Sequence, residues 1–314
     1  MLPDLVSLGL VGVGPWGRNI VRTIDALPDV QLAAVASRNR ETSTLVEAEC
    51  QIVADWRELM AIEDLDGIVI ATPPATHVEI MHSAIEARLP VFVEKPFTLD
   101  VQEARDLLEH AQARKVFALV DHIHLFNPAF QAVRDQIPDM GRITVIDGLA
   151  GNAGPYRNDV SVLWDWGAHD VAMCLDVLDE IPVSVRACQV MRESVDSHVA
   201  EIVEIELSFS SGCDASLRVG NGMREKVRSF VMHCDSGTLE YDDCADLKAV
   251  IVDKAGQRQP IDYGGETPLA CAIDAFVTAV RQRHSQLTSL ELAVHVTEVL
   301  ARAETSLKMS GQAA

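Results

Sequence analysis

A glycine-rich turn near the start of the chain constrains its fold more than any other feature. Residues 12–17 read G-x-G-x-x-G, with Pro15 and Trp16 between the second and third glycines. A compact apolar run, residues 7–11, precedes the turn, and apolar residues at helical spacing follow it. A turn of this kind between a strand and a helix predicts a βαβ unit that binds a dinucleotide.

Each glycine of the turn has a separate physical role. Gly12 permits the tight turn, Gly14 lets the backbone approach a pyrophosphate, and Gly17 lets the helix pack closely on the strand. The pyrophosphate is expected at the N-terminus of the helix, where backbone N–H groups and the helix dipole favour negative charge. A net-acidic chain can therefore still bind an anionic cofactor.

The residues after the second predicted strand bear on which dinucleotide binds. An acidic residue is expected about 20 residues after the fingerprint, where it would bind the ribose hydroxyls of NAD. This chain has Ser37 and Arg38 there instead. Because a guanidinium can hold a 2′-phosphate bidentately, the sequence favours NADP over NAD. The alternative is that Arg38 is solvated or stacks on adenine.

Strand and helix patterns alternate through the first part of the chain and change character later. Short apolar strands separated by amphipathic helices over residues 1–122 predict a Rossmann domain, an α/β fold with a doubly wound parallel sheet. Residues 123–314 combine a predicted helix over 160–178 with several runs of alternating polar and apolar residues. That pattern predicts an α+β domain for substrate binding and oligomerisation, with a largely antiparallel, open-faced sheet.

The formal net charge of −21 over 314 residues disfavours some classes of partner. Such a surface repels nucleic acid and anionic membranes, and no apolar run approaches the ~20 residues of a membrane span. Seven cysteines without a C-x-x-C pair suit reduced thiols in a cytosol-like compartment. Since no signal segment is visible, we expect a cytoplasmic protein with neither nucleic-acid nor membrane partners.

Several motifs together resemble those of the Gfo/Idh/MocA family of oxidoreductases. Residues 94–96 (E-K-P) follow a predicted strand, residues 72–74 (T-P-P) follow another, and a later helix carries Asp165 and His169. With the glycine turn, this order resembles the family over essentially the whole chain. The family includes glucose–fructose oxidoreductase and inositol dehydrogenases.

The resemblance implies an NAD(P)-dependent dehydrogenase or reductase that acts on a CH–OH group of a sugar, sugar acid, nucleotide-linked sugar or cyclitol. The family's catalytic lysine matches Lys95, and its aspartate–histidine motif matches Asp165 and His169. This chain departs from the family at residues 161–164, which contain no glycine, and at Ala172, where the family often has a further aspartate. These departures concern the substrate rather than hydride transfer.

Oxidation of a secondary alcohol releases a hydride to the nicotinamide and a proton to an acceptor on the protein. His169 suits that acceptor because histidine titrates near neutrality, whereas Lys95 would need burial or a neighbouring cation to take a proton. Asp165 and His169 are four residues apart, so the predicted helix places them on one face. We expect His169 as base, Lys95 polarising the substrate oxygen, and Asp165 orienting the imidazole or binding a neighbouring hydroxyl.

Further polar residues complete the predicted site. His122 and His124 are two apart and are expected on one side of a strand, lining the substrate cleft. Their combination with Asp165 and His169 in a zinc-type site is the weaker alternative, so we predict no metal. Arg157 either clamps an anionic substrate group or is ordinary surface charge.

The sequence therefore predicts two sets of contact residues. The cofactor is expected to contact Gly12, Gly14, Pro15, Trp16, Gly17, Ser37, Arg38, Thr72, Pro73, Pro74, His77, Glu94 and Lys95. The substrate is expected to contact Lys95, His122, Tyr156, Arg157, Asp165 and His169.

Two other functions and an assembly follow from the same patterns. A non-catalytic dinucleotide sensor or scaffold needs neither Lys95 nor His169, and a reductase of another carbonyl or of an imine would keep the architecture. The open sheet face is expected to expose apolar side chains, with Ile205 and Leu207 on one face of a strand and Ile202 on the other. Such a face predicts a homodimer or a tetramer built from dimers.

Overall fold

The first half of the chain folds around a parallel sheet. The computed structural model describes residues 5–195 and 198–311. Within these residues, the sheet consists of β1 (Val6–Val11), β2 (Val30–Ala36), β3 (Gln51–Val53), β4 (Gly67–Ile70), β5 (Val91–Glu94) and β6 (Ala118–Asp121). The order is β3-β2-β1-β4-β5-β6 and every pairing is parallel. Strand order reverses between β1 and β4, the position where open sheets of this type bind ligands.

Helices α1 (Pro15–Asp25), α2 (His77–Glu86) and α3 (Val101–Arg114) connect the strands of this sheet. Asp100 with Glu103 three residues later predicts an N-cap and a capping box at the start of α3. Asp100 is the N-cap, and its carboxylate accepts hydrogen bonds from the backbone N–H groups of Gln102 and Glu103. Leu107 and Ala111 of α3 are buried in the same apolar core as the strands.

The sequence pattern predicts a helix over residues 41–49 and a short one over 55–61, between β2 and β4, and both predictions are wrong. The stretches 41–49 and 55–61 contain only 3-10 turns, Arg40–Thr44 and Trp56–Ala61. Asn39 and Asp55 cap these turns, and the unpredicted strand β3 occupies residues between them.

The second half of the chain contains a mixed sheet that is antiparallel at all but one pairing. In the described residues it consists of β7 (Ile143–Ala153), β8 (Ser184–Val195), β9 (His198–Ser208), β10 (Asp214–Gly220), β11 (Gly222–Cys234), β12 (Gly237–Asp242), β13 (Ala249–Asp253) and β14 (Arg258–Pro260). Its order is β14-β13-β12-β11-β7-β10-β9-β8. Only β7 and β10 pair in parallel among these strands. The predicted fold class is confirmed.

The remaining helices are α4 (Pro128–Arg134), α5 (Ile137–Met140), α6 (Val162–Asp165), α7 (Gly167–Leu178), α8 (Pro268–Arg281) and α9 (Thr288–Gly311). The prediction of one continuous helix over 160–178 is wrong, because α6 and α7 are separated at Trp166. The backbone N–H of His169 donates to the carbonyl of Trp166 at 3.2 Å, a tighter turn than the α-helical bond to Asp165.

Contacts divide the chain into two compact units. The first unit comprises the residues up to Asp121 together with Thr267–Val294, and the second comprises His122–Glu266 with the residues from His295 onward. The sequence places a boundary at 122 but assigns α8 to the later domain. Phe276 of α8 packs against Phe92 at 5.8 Å and Phe117 at 6.1 Å between ring centroids, which explains its place in the first unit.

The two faces of the second sheet differ in polarity. Ile205 and Leu207 are buried on the inner face, so the expectation that they belong to an exposed apolar surface is wrong. The outer face instead exposes Val145 and Leu149 beside ion pairs such as Arg218–Glu204 at 3.1 Å.

No helix in the described part of the chain is long and apolar enough to cross a membrane.

Candidate functional site

The glycine turn between β1 and α1 has the geometry that a close-fitting dinucleotide needs. Gly12 has a φ of +95°, and a Cβ at Gly17 would lie 2.2 Å from the carbonyl oxygen of Gly12. These two glycines are therefore required by the fold itself. A Cβ at Gly14 would meet no protein atom within 4 Å. Gly14 borders open space where a bound pyrophosphate would come close to the backbone.

The N-terminus of α1 provides the electrostatic part of the same cradle. Gly14 is the N-cap and no side chain caps the helix, while Pro15 occupies the first helical position. The N-terminal dipole and backbone N–H groups are thereby left to an anionic ligand. Steric room and electrostatics together fit a dinucleotide at this turn.

The residues predicted to choose between NAD and NADP lie at the carboxyl end of β2. The Ser37 hydroxyl accepts hydrogen bonds from Thr42 Oγ1 at 2.7 Å and from the backbone N–H of Asn39 at 3.2 Å. The next residue, Arg38, is exposed. Hydrogen bonds from Arg57 lower the pKa of Asp55, and the charge of Arg38 contributes in the same direction.

His77, a predicted cofactor contact, is fully buried and bridges two backbone segments. Its Nε2 lies 2.7 Å from the carbonyl oxygen of Thr72, and its Nδ1 lies 3.1 Å from that of Pro96. Thr72 begins the T-P-P segment and Pro96 ends the E-K-P segment. His77 therefore lies between the two loops that contain the predicted cofactor residues, and a neutral imidazole donates to one of these two carbonyl oxygens at a time.

The E-K-P segment is also attached to the glycine turn. The indole N–H of Trp16 donates to the carboxyl of Glu94, the residue immediately before Lys95. Lys95 is half-buried at the carboxyl end of β5. The turn and the strand end that carries Lys95 thus form one connected structure within the first unit.

Asp121, which sequence reasoning missed, lies beside this structure. It ends β6 and pairs in register with Glu94 at the end of β5. Burial raises the pKa of Asp121 to about 7, while Glu94 and Lys95 act in the opposite direction. Burial and the neighbouring Asp121 raise the pKa of Glu94 well above its usual range, against the effect of Lys95. Its position at the end of the strand next to E-K-P is the sequence signal that could have identified it.

In the second unit, His169 belongs to a buried aromatic cluster. The ring of His124 packs edge-on against His169 with 5.1 Å between centroids, and its Nδ1 lies 2.8 Å from the hydroxyl of Tyr241. The prediction that His122 and His124 share one side of a strand is wrong. β6 ends at Asp121, and His122 caps a 3-10 turn, Ile123–Phe126, that contains His124.

A second buried group follows His169 directly. Asp170 is fully buried and its Oδ2 lies 3.5 Å from Nη1 of Arg228. Burial raises the pKa of Asp170 to about 6, although the charge of Arg228 opposes the shift. The guanidinium of Arg228 also lies over the ring of Trp166, 5.2 Å from its centroid. Sequence reasoning missed Arg228, because nothing distinguishes it from other polar residues of a strand.

Arg157 makes ion pairs with two carboxylates. Its Nε and Nη2 donate to Asp159 at 2.9 and 2.6 Å, and its Nη1 donates to Asp165 at 3.2 Å. These partners hold the loop between β7 and α6 against the end of α6. Asp165 therefore contacts Arg157. The sequence offered two alternatives for Arg157, an anion clamp or a surface charge, and neither includes an ion pair with Asp165.

The same loop lines a pocket of about 110 Å³ that lies entirely within the second unit. Tyr156 on its wall stacks on His198 with 5.4 Å between ring centroids and an interplanar angle of 14°. Asp165 and Glu201 contribute carboxylates to the lining. In the described residues, no group of three or more histidine, cysteine or acidic side chains is arranged to hold a metal ion.

Comparison with known proteins gives a consistent result. The model of the oxidoreductase family with an NAD-binding Rossmann fold matches residues 6–122. A UDP-N-acetylglucosamine 3-dehydrogenase from Acidithiobacillus ferrooxidans is 31% identical over 282 residues, which cover 87% of this chain and 88% of the relative. An inositol 2-dehydrogenase from Rhizobium meliloti is 30% identical over 81% of each chain.

Solved structures agree over nearly the whole chain. An oxidoreductase from Magnetospirillum magnetotacticum superposes with a TM-score of 0.89 at 38% identity, covering 96% of this chain and all of that one. The structure of the Acidithiobacillus ferrooxidans dehydrogenase superposes with a TM-score of 0.84 at 25% identity, covering 96% and 98% of the two chains.

Proposed function

Because this chain belongs to the Gfo/Idh/MocA family of NAD-binding oxidoreductases, we propose that it transfers a hydride between a nicotinamide cofactor and a secondary alcohol or ketone of a sugar or cyclitol. Sugar acids and nucleotide-linked sugars belong to the same proposed class. The names of the two relatives, one acting on a nucleotide sugar and one on inositol, support this range.

One observation carries the proposal. Trp16 of the glycine turn donates a hydrogen bond to Glu94, and Lys95 is the next residue. The ammonium that can act on a substrate oxygen is therefore built onto the same structure as the dinucleotide cradle. A protein that only sensed the dinucleotide would not need a lysine at this strand end.

The proposed mechanism assigns a separate task to each side chain. When bound, the nicotinamide supplies the hydride acceptor or donor. Lys95 donates a hydrogen bond to the reacting oxygen and stabilises negative charge that develops there. His169 takes the hydroxyl proton during oxidation and returns it during reduction. Asp165, held by Arg157, binds a neighbouring hydroxyl of the substrate.

We propose NADP as the favoured cofactor. The position that would carry a ribose-binding carboxylate in an NAD site holds Ser37, and the exposed guanidinium of Arg38 follows it. This arrangement supports binding of a 2′-phosphate, because a guanidinium forms paired hydrogen bonds with phosphate oxygens.

We also propose that the chain forms a homodimer, or a tetramer built from dimers, through the outer face of the second sheet. Val145 and Leu149 are exposed there on the central strand β7. Two-fold pairing of such a face is the commonest way in which soluble proteins cover it.

A substrate panel tests the proposed function. The purified protein is incubated with NADP⁺ or NAD⁺ and with neutral sugars, cyclitols, sugar acids and UDP-sugars, and formation of the reduced nicotinamide is followed by absorbance. Turnover of at least one polyhydroxy substrate is expected. If the protein binds the cofactor but turns over no member of the panel in either direction, the dinucleotide sensor becomes the better interpretation. Turnover of imines or enones alone would also overturn the proposal.

A further inference from the structure

The pocket beside Arg157 carries information about the charge of the substrate, and this inference rests on the proposed function. The pocket lies entirely within the second unit. Its lining includes Tyr156, Arg157, Asp165, His198 and Glu201. The same loop and helix end supply the residues that we assign to substrate binding, so the balance of charge here bears directly on which substrates fit.

Arg157 is the guanidinium that could bind an anionic substrate group in this pocket, but two carboxylates of the protein already bind it. Three of its nitrogens donate to Asp159 and Asp165 at 2.6–3.2 Å. The hydrogen bonds that Arg157 donates to Asp159, together with the charges of both carboxylates, raise the pKa of Arg157. A phosphate or carboxylate on a substrate would have to displace one of these partners and leave it without its counterion.

The remaining charges do not favour an anion either. Glu201 lines the pocket and forms an ion pair with Arg192, with Nε and Oε1 3.5 Å apart. Among the side chains that line the pocket, the carboxylates are Asp165 and Glu201 and the guanidinium is Arg157. A half-buried site with an excess of negative charge repels a further anion more strongly than an exposed surface does, since solvent screens it less.

The uncharged features of the pocket suit a donor-rich ring. The stacked Tyr156 and His198 provide an aromatic surface on which the C–H face of a sugar or cyclitol can pack. Carboxylate oxygens of Asp165 and Glu201 accept hydrogen bonds but donate none. Hydroxyl and ammonium groups supply the donors that such acceptors need, whereas phosphate and carboxylate groups do not.

We propose that this pocket selects substrates whose bound segment is a neutral polyol or carries an amine, and that it discriminates against the same ring bearing a phosphate or carboxylate. Among the substrates allowed by the proposed function, unmodified sugars, amino sugars and cyclitols are favoured over sugar phosphates, sugar acids and diphosphate-linked sugars.

Matched pairs of ligands test the proposal by turnover and by direct binding. We expect kcat/KM to be at least about tenfold higher for glucose and glucosamine than for glucose 6-phosphate, and for myo-inositol than for its monophosphate. Calorimetric titration of the cofactor-loaded protein with the same ligands should give the same order of affinity. Equal binding of neutral and phosphorylated partners, tighter binding of the phosphorylated ones, or no binding of any overturns the proposal.

A charge-removing variant separates electrostatics from shape. Asp159→Asn removes one of the two carboxylate charges that bind Arg157, so the guanidinium should become available to a substrate phosphate. We expect the preference for glucose over glucose 6-phosphate to fall by about tenfold or more. Asp246→Asn, an exposed aspartate in the loop between β12 and β13, is the matched control and should leave that preference unchanged. An unaltered preference in Asp159→Asn contradicts the charge argument. Absence of any turnover, with the expected order of binding intact, would count against the proposed function and leave the pocket assignment standing.

Discussion

Glu94 and Asp121 end neighbouring parallel strands and lie opposite each other in register, next to Lys95. Asp121 is fully buried and Glu94 partly so. Two neighbouring carboxyls resist double ionisation, because burial and mutual repulsion both favour the neutral form. The pair therefore retains a proton at pH values where isolated carboxyls would have lost theirs.

The first prediction concerns stability against pH. The pKa of Asp121 is raised to about 7 in the folded protein, whereas an unfolded aspartate titrates near 3.8. Between these values the folded state holds more protons than the unfolded state, so this group's contribution to stability falls as pH rises. Asp121→Asn removes that dependence. We expect the variant's free energy of unfolding, relative to wild type, to be higher at pH 8 than at pH 5 by about 1 kcal/mol or more.

Denaturant titrations at the two pH values measure this effect. Asp262→Asn makes the same chemical change at an exposed position and should show no such difference. If the free energy of unfolding of Asp121→Asn relative to wild type is the same at pH 5 and pH 8, the raised pKa of Asp121 in the folded protein is contradicted.

The second prediction separates binding from folding at the glycine turn. An alanine at Gly14 meets no protein atom, so Gly14→Ala should change the free energy of unfolding by no more than about 1 kcal/mol. The new methyl group would occupy the space of the pyrophosphate, and we expect cofactor affinity to fall at least about tenfold. Gly17→Ala should instead destabilise the protein by ~1–3 kcal/mol, because its Cβ would lie 2.2 Å from a backbone oxygen.

Thermal unfolding and fluorescence titration with NADPH distinguish these two variants. Normal cofactor affinity in Gly14→Ala would mean that the space beside Gly14 does not hold the cofactor. A loss of stability greater than about 1 kcal/mol in that variant would contradict the open space at Gly14.

The third prediction concerns cofactor choice. Arg38→Ala should weaken NADP binding about ten- to a hundredfold, the usual value of a charge-assisted contact, and should affect NAD much less. Dissociation constants for the two cofactors provide the measurement. Arg105→Ala, which removes an exposed arginine from α3, is the matched control. Equal losses for both cofactors in Arg38→Ala indicate a stacking or structural role instead.

The fourth prediction concerns the proposed catalytic pair. Lys95→Ala and His169→Ala should each reduce kcat by ~10²–10⁴-fold while cofactor affinity remains close to that of wild type. The double variant should lose less than the product of the single losses, because groups that act together are not additive. Near-normal turnover in His169→Ala, with turnover lost in Lys95→Ala, would identify Lys95 as the proton acceptor. Normal turnover in both variants would contradict the proposed mechanism.

The fifth prediction concerns assembly. Light scattering at micromolar concentration should give the mass of a dimer or tetramer. Leu149 is 36% exposed on the outer sheet face, so Leu149→Glu should shift the protein towards the monomer by placing a charge in the interface. Leu247→Glu, at an exposed loop position, should leave the mass unchanged. A monomeric wild-type protein contradicts the prediction.

The sequence by itself determined those features that depend on residues close together in the chain. The strand, glycine turn and helix of residues 6–25, the N-cap Asp100 and the alternating strands of the second sheet were all predicted. Their physical causes, side-chain periodicity and the steric freedom of glycine, act over a few residues and can be recognised without knowledge of the rest of the fold.

Only the tertiary structure decided which distant groups meet. It paired Asp121 with Glu94, placed His77 between two backbone carbonyls, and set the hydroxyl of Tyr241 against His124 across 117 residues of chain. It also showed that the guanidinium of Arg157 is shared by two carboxylates. These relationships arise from strand order and packing, and periodicity along the chain does not specify which strand ends become neighbours or which buried polar groups satisfy one another.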